Sequence, residues 1–148
     1  MMHKILNYIQ VNNNIATSGQ PTPKQFEEIA NAKYEIVINL ALSTSSNAIK
    51  DEDKIVSELG MTYIHIPVDF EEPSKEHLKQ FLRILASLDE RKVWIHCALN
   101  YRVSAFMYVF HKYIYQTPFD EIDLTLLEEW CPNTKWQELM KITPDELE

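Results

Sequence analysis

The sequence predicts an α/β fold with a parallel-rich central sheet and helices on both faces. Three observations carry that expectation. Apolar runs at 34–40, 62–67 and 92–96 have the length and the branched or aromatic content of buried strands. Stretches of helix length lie between them, mostly polar over 47–59 and amphipathic over 74–88. Strand and helix therefore alternate, with connections long enough for parallel crossovers.

The elements follow in order. The first fifteen residues read as a strand pair turning at Asn12-Asn13-Asn14. The segment 17–23, Thr-Ser-Gly-Gln-Pro-Thr-Pro, is a turn that opens a helix. Thr22 is its N-cap, and Pro23 sits at the first helical position, where a missing N–H costs nothing. Phe26, Ile29 and Ala30 would face inward. After the strand at 34–40 comes a mostly polar helix over 47–59, closed by Gly60. The strand at 62–67 follows, and Ser74 caps a third helix running to about Leu88. Its stripe is Leu78, Phe81, Leu82, Leu85 and Leu88. The strand at 92–96 leads through a loop into 103–115, which is apolar on nearly every side and so reads as a central, buried helix. Beyond Pro118, one or two helices should pack Trp130 and Trp136 onto the body. No repeat or low-complexity linker interrupts the chain, so 1–148 reads as one domain.

Composition narrows the function. With 148 residues and 45% hydrophobic content, the chain can bury a sizeable core. Fourteen basic against 22 acidic residues give a formal charge of −8. That argues against nucleic acid and against an anionic membrane surface as partners. It leaves room for an anionic substrate, because a local anion site needs only backbone N–H groups and one or two basic side chains. No apolar run approaches the ~20 residues that span a bilayer. The first residues lack the continuous apolar core of a signal peptide, so a cytoplasmic protein is expected. Cys97 and Cys131 are too few and too far apart for a disulfide framework or a zinc site. No metal and no cofactor are expected.

The segment Val93-Trp94-Ile95-His96-Cys97-Ala98-Leu99-Asn100-Tyr101-Arg102-Val103-Ser104 concentrates the chemistry. A cysteine ends a buried strand, on a loop that opens into a helix. Such a loop aims backbone N–H groups and the positive helix end at one spot. An oxyanion binds there, and a thiol there loses its proton more easily. The bland alternative is a buried core cysteine.

These residues resemble the protein tyrosine and dual-specificity phosphatase superfamily. More closely, the chain is similar to small bacterial phosphatase-like proteins related to the phosphatase-like domain of beta-lactamase-hydrolase-like proteins. The resemblance rests on Ser18-Gly19-Gln20-Pro21-Thr22, on Val37-Ile38-Asn39-Leu40, on Ile66-Pro67-Val68-Asp69, and on His96-Cys97 with Arg102 and Ser104. It implies a phosphatase-like three-layer fold and phosphomonoester hydrolysis by a cysteine, without a metal, through a cysteinyl-phosphate. The superfamily places five residues between Cys and Arg; here four separate Cys97 from Arg102. Val103 takes the usual Arg position, Ser104 keeps the hydroxyl position, and Asn100 stands where Gly is common. One step along a helix start turns a side chain by ~100°. Either the loop is one residue shorter and Arg102 still grips phosphate, or Arg102 points elsewhere. Rhodanese-type sulfurtransferases share the shorter spacing and form the rival. His96, the Ser-Gly-Gln-Pro-Thr opening and Asp69 favour the phosphatase.

By this resemblance Cys97 is the nucleophile and Arg102 the phosphate clamp, set against a helix-start arginine paired to a surface carboxylate. Asp69 is the general acid, with Glu71 and Glu72 as rivals; a loop aspartate that caps its own turn is the plainer reading. Ser104 would steady the thiolate, and His96 would orient the loop through its ring N–H and ease ionisation of the thiol; a satisfied core histidine is the plainer reading of His96. The backbone of Ala98, Leu99, Asn100, Tyr101 and Val103 would hold the substrate's oxygens, with Tyr101 at the mouth. His65 reads as structural. A reversible Cys97–Cys131 disulfide is a minor alternative, since nothing in the sequence sets their distance. The substrate would be a phosphorylated small molecule or a phosphoprotein. A weakly catalytic, anion-binding pseudophosphatase is the second reading, and a sulfurtransferase the third.

Overall fold

A computed structural model describes residues 2–147. The expected domain, 1–148, reaches one residue further at each end, outside the described residues. Five strands form one sheet in the order β1-β2-β5-β3-β4: β1 (Ile9–Gln10), β2 (Ile15–Ser18), β3 (Ile36–Asn39), β4 (Thr62–His65) and β5 (Val93–His96). β1 pairs antiparallel with β2 across the Asn12–Asn14 turn, and all other pairings are parallel. Ser18 and Asn39 both stand opposite His96, and Asn39 stands opposite His65. Four strands thus end at one level. The loops that leave them meet at the carboxyl edge of the sheet, where open α/β sheets place their ligands.

Strand alternation divides the core into two layers. Ile15, Ile36, Ile38, Val93 and Ile95 face α3 (Lys75–Ser87), α4 (Tyr101–Phe110) and α6 (Thr134–Met140). Ala16, Val37 and Trp94 face α1 (Pro23–Asn31) and α2 (Glu52–Glu58). Helices therefore cover both faces, as expected. α4 buries Val103, Ala105, Phe106, Met107, Val109 and Phe110. It touches the sheet, α3, α5 (Thr125–Trp130) and α6, so an amphipathic pattern would leave polar groups stranded.

Local signals placed several boundaries correctly. Thr22 caps α1 through a reciprocal box: Gln25 N–H donates to Thr22 Oγ1 at 3.1 Å, and Thr22 N–H donates to Gln25 Oε1 at 2.9 Å. Ser74 caps α3, whose stripe Leu78, Phe81, Leu82 and Leu85 is buried. Gly60 follows the end of α2 at φ +87°.

Other boundaries differ. Ala30 and Leu88 are only half-buried. β2 extends through Thr17 and Ser18, expected as turn, because parallel pairing with β5 captures them. β3 is shorter than 34–40 at both ends, and β4 stops at His65, since Pro67 has no N–H to give a ladder. The helix expected from 47 begins only at Glu52. Asp51 turns left-handed there at φ 59°, and the residues before it form turns that reach over the carboxyl edge. α4 begins at Tyr101, two residues earlier than expected, and after Phe110 it loosens into a π-helical turn, His111–Tyr115. No helix among the described residues is long and apolar enough to cross a membrane.

Candidate active site

The loop after β5 is held by its carbonyls. His96 Nδ1 contacts Cys97 O at 3.1 Å. Gln20 N–H and Asn47 Nδ2 both donate to Ala98 O at 3.0 Å. Asn7 Nδ2 donates to Leu99 O at 2.9 Å, and Ser104 N–H donates to Asn100 O at 3.1 Å. With the carbonyls turned outward, the N–H groups of 98–103 meet no acceptor among the described residues. A run of unpaired amides around a turn is an anion cradle.

Two residues make the turn sterically feasible. Asn100 sits at φ 68°, the left-handed region that asparagine tolerates better than most side chains. Its Nδ2 donates to Asn7 O at 2.8 Å and to Thr17 Oγ1 at 3.0 Å, which fixes that conformation. Gly19 passes so close that a Cβ would lie 2.7 Å from Ala98 O. Only glycine lets β2's exit approach the loop this tightly.

Cys97 is 1% exposed and lines a cavity of about 470 Å³ together with Ser45, Ser46, Phe70, Ala98, Leu99, Tyr101, Arg102 and Trp130. Arg102 and Cys97 therefore share one space despite the short spacing. The early start of α4 explains this: Arg102 turns toward the cavity, and Val103 goes into the core, fully buried. Arg102 Nη1 donates to Val68 O at 2.9 Å, and the guanidinium lies over the Phe70 ring at 5.5 Å. The other edge of its planar fork is free. Nε is buried without an acceptor, and Nη2 meets none among the described residues. That edge has the geometry for two parallel hydrogen bonds to an oxyanion.

The cavity's outer wall is aromatic. Tyr101 and Trp130 stack at 5.4 Å with ring planes 3° apart. Phe70 stands 5.4 Å from Trp130, and Trp136 Nε1 donates to Phe70 O at 2.8 Å. Trp136 packs the tail as expected; Trp130 does that and also lines the site.

Asp69, its rivals Glu71 and Glu72, and Ser104 lie outside this lining. Asp69 is exposed and outside the cavity lining; its Oδ1 accepts from Glu71 N–H at 2.9 Å and Glu72 N–H at 3.4 Å, a turn-capping arrangement. Its neighbours Val68 and Phe70 both touch Arg102. The rival acids Glu71 and Glu72 also lie outside the lining, and Glu72 pairs with Lys135. Ser104 faces a separate cavity of about 170 Å³ with Thr17, Met107, Tyr108 and His111. His65 contacts Ala41 O at 2.7 Å, a structural placement. Cys97 and Cys131 are both free, Cys97 buried and Cys131 exposed.

Sequence reasoning missed Glu52 and the role of Gln20. Glu52 is 6% exposed; its Oε2 lies 2.7 Å from His96 Nε2, and its Oε1 accepts from Gln20 Nε2 at 2.7 Å. Burial pushes this carboxyl up. The hydrogen bond and charge of His96, with bonds from Gln20 and Tyr63, outweigh burial and hold it below the usual glutamate value. Gln20 lay within a recognised motif, but Glu52 lay inside what reads as a polar helix and carried no local signal.

Residues 7–138 match the family described as DSP-PTPase phosphatase fused to NAD+ kinase. The chain belongs to that family. It is a phosphatase-like hydrolase of the protein tyrosine and dual-specificity group. A DUF442 protein from Shewanella putrefaciens CN-32 is 32% identical, with a TM-score of 0.85, covering 94% of this chain and 91% of that one. Two more distant structures share the fold. The core catalytic domain of the PP-IP phosphatase SIW14 from S. cerevisiae, with citrate, is 16% identical at a TM-score of 0.75, covering 97% of this chain and 89% of that one. P. aeruginosa TpbA, with pTyr, is 13% identical at 0.72, covering 96% and 88%. No curated protein matches the chain.

Proposed function

We propose that the chain is a metal-independent, cysteine-dependent phosphatase acting on a phosphomonoester, with 1–148 as one phosphatase-like domain. The observation that supports this most is the loop over 98–103, with carbonyls tied outward and amides free, beside Cys97 and an unpartnered Arg102 edge. In the first step the Cys97 thiolate attacks phosphorus. The S–P bond forms as the ester P–O bond breaks, and the leaving oxygen takes a proton from Asp69. In the second step water attacks phosphorus, the S–P bond breaks, and Asp69 takes the water's proton. Two moderate barriers replace one high one. The amide cradle and Arg102 meet the equatorial oxygens, supplying the positive field that a metal provides elsewhere. His96 braces the cradle through Cys97 O.

The aromatic wall of Phe70, Tyr101 and Trp130 suits a substrate whose ester carbon is aromatic or otherwise apolar, free or borne on a protein. Free thiols at both cysteines suit a reducing, cytoplasmic setting. The second reading, anion binding with weak turnover, is favoured by one feature: the Asp69 carboxylate is tied to its own turn. Hydrolysis of p-nitrophenyl phosphate, with reductant and chelator present, tests the proposal. Activity that disappears in Cys97→Ser is expected. Phosphate binding without turnover would leave the second reading, and Cys97-dependent sulfur transfer from thiosulfate would replace both.

A further inference from the structure

Beneath the cradle lies a buried polar cluster that the reaction scheme uses only through His96. Its centre is Glu52, at the start of α2, against His96 at the end of β5, 44 positions away. A glutamate is almost never this buried without partners. Here every neighbour donates. Gln20 Nε2 donates to Oε1. Asn39 Nδ2 donates to Tyr63 OH at 2.9 Å, which leaves the phenol's own proton to face Glu52. A carboxyl so surrounded is a carboxylate, an acceptor only.

That settles the hydrogens on His96. Cys97 O is also an acceptor only, so Nδ1 must donate to it. With Glu52 ionised, Nε2 must donate as well. A histidine donating from both nitrogens is an imidazolium. The ring is 0% exposed, so no water substitutes for either partner at its surface, and the Phe26 ring at 5.8 Å brings no charge. The other titratable groups facing the pair are Tyr63, with Asp53 beyond it on α2; Cys97 meets the ring through its backbone carbonyl. The cationic ring adjoins the thiol's own residue, and the compensating carboxylate stands behind it. Of the two charges the ring is the one in direct contact with Cys97, through its carbonyl.

We infer that Glu52 is a positioning residue for the nucleophile: it holds His96 as a doubly donating imidazolium, which braces the Cys97 carbonyl and favours the thiolate. This rests on Cys97 being the nucleophile. Glu52→Gln removes the charge but keeps a side chain of the same shape. The imidazole can then shed its Nε2 proton, and the thiolate loses its near cation.

The test needs no turnover. In a Cys131→Ser background, the pH dependence of iodoacetamide alkylation reads the Cys97 thiolate alone. The wild-type midpoint is the reference against which the variant is read. Glu52→Gln is expected to raise it by about one unit, slowing alkylation about tenfold on the acid side. Nitrogen NMR of histidine-labelled wild type is the second measurement, independent of whether the variant folds. Both His96 ring nitrogens should be protonated near neutral pH. A neutral ring, or a midpoint that Glu52→Gln leaves in place, overturns the role of Glu52 while leaving Cys97 as nucleophile. A wild-type midpoint at the free-thiol value overturns both.

Discussion

The loop after β5 and the loop after β4 meet at the same cavity, yet they are built differently. The β5 loop is tied at successive carbonyls from Cys97 to Asn100, by partners from β5 itself, the exit of β2, the loop before α2, the N-terminal segment and α4. The β4 loop is anchored at Val68 O by Arg102 and at Phe70 O by Trp136, but Asp69 between them faces outward. On the proposed reading, anion binding is thus preorganised and its energetic cost is met during folding. Proton delivery is not: Asp69, the proposed acid, has to leave its own turn to reach a leaving group. Catalytic hydrogen bonds are often absent until substrate binds.

Substitutions can break or sharpen this contrast. Beyond the loss expected for Cys97→Ser, Arg102→Lys should have the largest effect. A lysine cannot hold Val68 O with one edge and two phosphate oxygens with another. A fall in kcat/KM of roughly 100- to 1,000-fold is expected in steady-state assays, in keeping with loss of an oxyanion donor. Asp69→Asn should cost about 100-fold with an alkyl phosphate and much less with p-nitrophenyl phosphate, whose leaving group needs little protonation. Equal losses on both substrates would remove Asp69 as the acid and blunt the contrast.

Gly19→Ala strikes the preorganised side without touching a chemical group. The new Cβ meets a backbone oxygen at 2.7 Å, so strand exit or cradle must shift. A stability loss of about 1–3 kcal/mol in denaturant melts is expected, with weakened phosphate binding. The smallest effect concerns pH. Glu52 is held below its ordinary value in the folded chain, so its contribution to stability is fully present above that ordinary value. It is lost as pH falls through the folded value. The stability gap between wild type and Glu52→Gln should therefore be widest near neutral pH and narrow in acid, as followed by thermal melts.

Much of the site was legible because its signals are local. A strand, a cysteine, a left-handed asparagine and a helix occur within one short segment, and the cradle follows from that order. The reach of Arg102 was not legible, because one residue of helix phase decides which side chain faces the cavity. α4 starts at Tyr101, and that start sends Arg102 out and Val103 in. Ser104 followed the same phase, away from Cys97 to the β1–β2 side. Asp69 was placed on the right loop, but its rotamer is set by amides two and three residues on.

By itself the sequence determined the alternation of strands and helices, the caps at Thr22 and Ser74, the two-sided core and the place of Cys97 at the exit of β5. Those properties depend on period and on neighbours within a turn, which a chain carries along its length. Only the tertiary structure decided that Glu52 meets His96, that Gly19 clears Ala98, and that Trp130 closes the cavity wall. Each of these joins residues far apart in the chain. Such meetings depend on strand register and on how helices seat against the sheet, and no local pattern specifies them.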